Sequence, residues 1–286
     1  MIKKLLKPTA DPVFKRIFGQ EKEIAIEVIN LLIDPPHPVV EIEYYSQELL
    51  PELSDGKVSI VDIRCTDSMN QHFILEIQLI NHIGFEQRIL LYAAKAYGQQ
   101  LKRGMKYDKV QPVFLLSIIH HQIKKDPNSW MHRFALRDEK EPNHQIQGIH
   151  LIFIELEKRK KLGNFNLENP IDRWLMFLTE PDKLIDMHKF DVSVYPNLLK
   201  AVELLDESNY TEAQLYAYDK HLLAVADINQ AYMESYDRGY DQGKEETTST
   251  VLAVLKALKE NNHSHDIIAQ TYNVDLPFIE ELAKLI

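Results

Sequence analysis

Apolar and polar residues alternate with a period of two over residues 57–80, and recur at helical spacing over much of the remaining chain. The stretch reads KVSIVDIRCTDSMNQHFILEIQLI. In its first arm Ser59, Val61, Ile63 and Cys65 share one parity, and Asp62, Arg64 and Thr66 share the other. In its second arm Phe73, Leu75, Ile77 and Leu79 form an apolar face, with Ile74, Glu76, Gln78 and Ile80 opposite. The connector supplies Asp67, Ser68 and Asn70, whose side chains bond to nearby backbone in turns. The pattern predicts a β-hairpin. Asp62 and Glu76 would share one face, with Gln78 two residues on, and the other face would pack on a helix.

Upstream, DPVFKRIFG at 11–19 predicts a helix with Asp11 as N-cap, Pro12 at the first position, and Phe14, Ile17 and Phe18 on one face. A second helix is expected over residues 21–33, stopped by Asp34-Pro35-Pro36. Residues 39–50 read as a strand. Downstream, residues 84–103 predict a long helix closed by Gly104, with Arg88 and Tyr92 one turn apart. The apolar run at 110–119 reads as a strand covered on both faces, and 146–156 as another. This order implies an α/β fold, a mixed sheet flanked by helices. From Ile171 onward only helical signals remain, at 171–178, 195–205 and 211–260. Within the last, Gly239 and Gly243 mark a hinge, a close crossing or a break. Residues 264–285 predict two short helices around Asn273 and Val274, the second too acidic to read a DNA groove.

The 286 residues, 45% hydrophobic and 27% charged, suit a folded chain with a sizeable core. No run approaches the ~20 apolar residues that span a bilayer, and the first residues lack a signal-peptide core. The single Cys65 excludes an internal disulfide and a cysteine metal framework. These features predict a cytoplasmic protein with no membrane partner. Net charge is −10, yet residues 1–160 are balanced and the acidic surplus lies beyond them. Basic residues cluster at Lys102, Arg103, Lys106 and Lys109, at Lys124 and Lys125, and from Lys158 to Lys161. Such clusters either meet a phosphate backbone or form solvated surface. Twelve histidines without partner cysteines give no zinc ligand set, and surface positions are expected for them.

Two carboxylates on adjacent strands are hard oxygen ligands, which Mg²⁺ or Mn²⁺ prefers together with waters and substrate phosphates. A metal so held activates water for phosphodiester cleavage. The main-chain carbonyl of Ile77 would complete the protein side. Spacing by itself favours three polar residues on a half-exposed face. Further motifs add to it. KVSIVDI at 57–63, LEIQ at 75–78, FEQRILLY at 85–92 and YGQQLKRGMKY at 97–107 resemble the PD-(D/E)XK nuclease family transposases. The opening DPVFKRIFG and the strand QPVFLLSII resemble the same family.

The resemblance covers about the first 120 residues. It implies a restriction-endonuclease-like core and metal-dependent DNA cleavage linked to recombination or mobile DNA. Asp62 matches the first metal-binding acid and Glu76 the second. Gln78 takes the place of the motif's lysine, and Val61 that of its proline. Arg88 and Tyr92 match the helix signature as substrate contacts, while by position alone Arg88 fits a surface ion pair as well and Tyr92 fits a core-edge aromatic better. Asp11 and Lys15 match the N-terminal signature, with Lys15 on the substrate side. Residues 1–165 would form the nuclease-like domain and 166–286 an acidic helical region, a candidate homodimer contact. The alternative is a DNA-binding or regulatory protein with a weak or inactive site.

Overall fold

The computed structural model describes residues 4–46, 48, 49, 59, 60, 62–79, 84–123, 126–186, 191–260 and 263–284. Lys57, Val58, Val61, Ile80 and the Lys124-Lys125 pair lie outside them. Two compact units are present, residues 1–225 and 226–286.

The first unit opens with α1 (Asp11–Gln20) and α2 (Lys22–Val28). Ala10, not Asp11, is the N-cap of α1. Asp11 is already helical, and its carboxylate pairs with Lys15 one turn on, at 2.8 Å. The second helix ends in a π turn (Ile29–Ile33), closed by Asp34 in the left-handed region at φ 53°. Arg133 donates to the terminal carbonyls of Leu32 and Ile33, which the helix leaves without partners.

The predicted strand at 39–50 is two short ones. β1 (Ile42–Tyr44) joins the main sheet, whereas β2 (Glu48–Leu49) pairs with β3 (Ser59–Ile60) in a separate ladder. The hairpin follows as β4 (Ile63–Asp67) and β5 (His72–Gln78). Its turn follows from its sequence. Asp67 Oδ1 accepts from the Met69 and Gln71 amides at 3.0 and 2.8 Å, and Asn70 takes φ 60°. That turn sets Ile63 opposite Leu75.

α3 (Phe85–Gly98) carries the chain to β6 (Val113–Ile119), parallel to β5. It stops short of the predicted residue 103. Gln100 turns away and brackets the Gln111 backbone with two hydrogen bonds of 2.8 and 2.9 Å. Gly104 then lies in the loop at φ 86°. A Cβ there would meet nothing, so Gly104→Ala bears only the backbone cost, about 1–2 kcal/mol. The expected result is a lower urea midpoint at unchanged slope. An unshifted midpoint would show that the turn relaxes.

β7 (Met131–Arg137), unforeseen from the sequence, forms the far edge against β8 (Gln145–Glu155). Sheet order is β1-β4-β5-β6-β8-β7, with β5, β6 and β8 parallel. This is the mixed sheet expected. α4 (Leu156–Leu162), α5 (Pro170–Thr179), α6 (Pro181–Asp186) and α7 (Pro196–Glu203) follow.

Parity along the strands separates two cores. Phe73, Leu75, Ile77, Phe114, Leu116 and Ile118 join α1, α2, α5 and α7, with Phe14, Phe18 and Trp174 fully buried. Ile74, Val113, Leu115 and Ile119 pack against Phe85, Ile89, Tyr92, Ala93 and Ala96 of α3. Helices α5 and α7, assigned from the sequence to the C-terminal region, thus pack in the same core as the hairpin.

α8 (Glu212–Glu260) passes Gly239 and Gly243 without a break. The second unit closes with α9 (His265–Tyr272) and α10 (Leu276–Ala283), joined at Asn273 in the left-handed region, as predicted around Asn273 and Val274. Val254, Ile268, Ala269 and Ile279 form its core. Among the described residues no helix is long and apolar enough to cross a membrane.

Candidate active site

Asp62 lies in a bend just before β4 and not in the continuous strand expected from the pattern. Its polar groups engage side chain and strand end. The Asp62 amide donates to Glu76 Oε2 at 3.1 Å, and its Oδ2 accepts from the Ile77 amide at 2.7 Å. Asp62 and Glu76 therefore meet near the carboxyl end of β5, where ligands bind in open α/β sheets. Ile77, expected to offer a carbonyl, here offers its N–H to Asp62.

Four further side chains converge. Lys15 Nζ from α1 is 3.4 Å from Asp62 Oδ1. Asp11 holds the same ammonium at 2.8 Å. From α3, Arg88 donates to Gln78 Oε1 and stands 5.4 Å from the Phe85 ring and 5.9 Å from that of Tyr92. Asp62, Glu76, Gln78, Arg88 and Lys15 thus come together from α1, β5, α3 and the bend before β4. Tyr92, one turn along the same helix, packs at the α3 core beneath Arg88, because its place on the helix faces the sheet.

Burial dominates the electrostatics. The Asp62 side chain is 14% exposed, and Glu76 is 6% exposed. Burial, and then the Asp62 charge, push Glu76 up to about 8. Burial pushes Asp62 up to about 6, against the Ile77 amide, which favours its charged form. Burial opposes the Lys15 charge, but Asp11 and Asp62 overcome it and raise its pKa.

Both carboxyls bind their protons more tightly when folded than when unfolded. The stability they contribute is complete below their unfolded values, near about pH 4, and is lost as pH rises through the folded ones. Melting of the metal-free protein should therefore fall from about pH 5 to about pH 9. Asp62→Asn/Glu76→Gln should flatten that slope. Equal slopes would assign it to other groups.

A divalent cation suits this pair. Two desolvated carboxylates lie side by side, and an ammonium already stands against one of them. Among the described residues no group of three or more His, Cys, Asp or Glu side chains could hold a metal ion. Asp62 and Glu76 would hold it with waters and substrate oxygens, as Mg²⁺ accepts.

The basic clusters resolve in two ways. Lys102, Arg103, Lys106 and Lys109 are exposed. In the 158–161 run, Lys158 and Arg159 are buried. Arg159 bonds Asp172 at 2.8 and 3.2 Å and lies 4.1 Å from the Phe165 ring. Lys158 pairs with Glu155 at 2.7 Å. His132, expected at the surface like the other histidines, is buried with its Nε2 2.7 Å from Glu155 Oε1. The sequence carried a signal for β7, the alternation through His132, Phe134 and Leu136, but none for this charge cluster.

A mixed sheet with helices on both faces and paired acids at a parallel strand's end defines a restriction-endonuclease-like nuclease fold. Residues 8–235 match the PD-(D/E)XK nuclease family transposases, and the chain belongs to this family. It is thereby placed among nucleases tied to mobile DNA. No curated protein and no solved structure matches the chain.

Proposed function

We propose that this protein is a Mg²⁺- or Mn²⁺-dependent DNA endonuclease acting in recombination or on mobile DNA. The observation that carries it is the junction of Asp62 with Glu76 at the end of β5. In this reading Asp62 and Glu76 bind the metal. Bound there, the ion would supply an activated water and a counter-charge for the phosphate. Arg88 and Lys15 face the DNA backbone, and Gln78 orients Arg88. The test is conversion of supercoiled plasmid to nicked or linear forms with Mg²⁺ or Mn²⁺. Cleavage should stop with chelator and in Asp62→Ala. Equal cleavage by parent and Asp62→Ala would defeat the proposal.

A second reading has its own support. Gln78 supplies no charge, and Glu76 is nearly covered. These features favour a DNA-binding or regulatory protein with a weak site. Salt-dependent DNA retention without cleavage in any divalent metal would select it. Exposed Tyr232, Tyr236 and Tyr240 recur every four residues on α8 and support a homodimer through the C-terminal helices, to be read by light scattering. The one cysteine, Cys65, is a buried free thiol, which suits a reducing cytoplasm.

A further inference from the structure

Two carboxylates and a phosphodiester crowd negative charge together, and hydrolysis adds more. As the water oxygen bonds to phosphorus, charge builds on the non-bridging oxygens. Gln78 is neutral, and its carbonyl oxygen is taken by Arg88. Among the described residues the other cation at the acids is Lys15, on a different element. Its side chain is 32% exposed, so the ammonium is partly open to an incoming ligand. Asp11 grips it at 2.8 Å, closer than Asp62 does at 3.4 Å. The Asp11 amide is itself anchored to His221 Nε2 at 3.3 Å. The Asp11 carboxylate and Lys15 belong to one helix, so the ammonium stays beside the acids when Asp62 engages another cation.

We propose that Lys15 is a catalytic residue, the cation that stabilises the phosphate in the transition state, and that Asp11 positions it. This rests on the nuclease reading above. Lys15 donates a hydrogen bond to a non-bridging oxygen and keeps its proton throughout. The water oxygen forms the new bond to phosphorus and gives its proton to solvent. The ester bond breaks, and the departing sugar oxygen takes a proton from solvent.

The experiment compares the parent, Lys15→Met, Lys15→Met/Gln78→Lys and Asp11→Asn. Plasmid cleavage is followed in Mg²⁺, and anisotropy of a labelled duplex in Ca²⁺. Lys15→Met should cleave about 100-fold more slowly. It should still bind duplex, with a salt slope lower by about 1. Gln78→Lys should return about tenfold of the lost rate by restoring a cation at the same acids. Asp11→Asn should fall between parent and Lys15→Met.

Lys15→Met at the parental rate overturns the inference, and so does a double variant that recovers nothing. Melting of each variant is measured first. Lys15→Gln, which can still hydrogen-bond Asp11, replaces Lys15→Met if that variant is unfolded. A parent that does not cleave removes the nuclease reading and this inference with it. A cleaving parent beside an equally fast Lys15→Met removes this inference alone.

Discussion

Glu76→Gln should melt above the parent at pH 8 without metal, and should cleave DNA at least about 100-fold more slowly. Both effects have one cause. Glu76 is 6% exposed and lies against a second carboxylate, so its ionised form is costly in the metal-free protein. Glutamine keeps the shape and can still accept the Asp62 amide. Removing the buried charge should stabilise by about 1–3 kcal/mol. The same change takes away a hard, anionic oxygen, and a neutral amide is a poor substitute for Mg²⁺. Stability and activity therefore move in opposite directions, as at other sites where function requires an unfavourable charge. Scanning calorimetry and a plasmid time course read the two arms. Cleavage at the parental rate would remove Glu76 from the site. A lower melting temperature would show that Lys15 and Arg88 compensate its charge fully.

Glu155→Ala should destabilise the first unit by about 3–5 kcal/mol. Glu155 is the last residue of β8 and is 1% exposed. It holds the His132 ring of β7 and the Lys158 ammonium of α4, each at 2.7 Å. Lys158 also donates to the Ser129 carbonyl at 3.1 Å. Truncation leaves a buried ammonium without its carboxylate and a cavity beside it. Edge strand β7 and helix α4 both lose a side-chain tie to the end of β8. Replacing both charges, as Glu155→Gln/Lys158→Met, should be less damaging than the single truncation, because no uncompensated ion remains. Urea unfolding followed by tryptophan fluorescence measures it, since Trp130 and Trp174 lie in this unit. A loss under about 1 kcal/mol would mean that water reaches Lys158.

The elements nearest the site were the most legible ones. The β4–β5 hairpin announces itself by period two, and its turn by Asp67 and Asn70, because these preferences act over a few residues. The inner face of α1 follows from Phe14, Ile17 and Phe18 at helical spacing. Errors arose where long-range contacts outweigh local preference. Within β7, whose alternation is present in the sequence, Arg133 caps the π turn a hundred residues earlier, a role no local pattern shows. The basic run at 158–161 reads as surface by composition, yet Glu155 and Asp172 draw two of its members inside.

The hairpin and the mixed α/β class are legible in the chain, because alternation and turn chemistry are written in neighbouring residues, while the two acids are singled out by the family resemblance. The contact of Asp11 and Lys15 with those acids is a matter of tertiary packing. Their place depends on how α1 lies across the sheet, and that is set by packing among Phe14, Phe18, Trp174 and the inner face of β5. Tertiary burial also shifts both carboxyls, since desolvation comes from the whole surround and from no local motif.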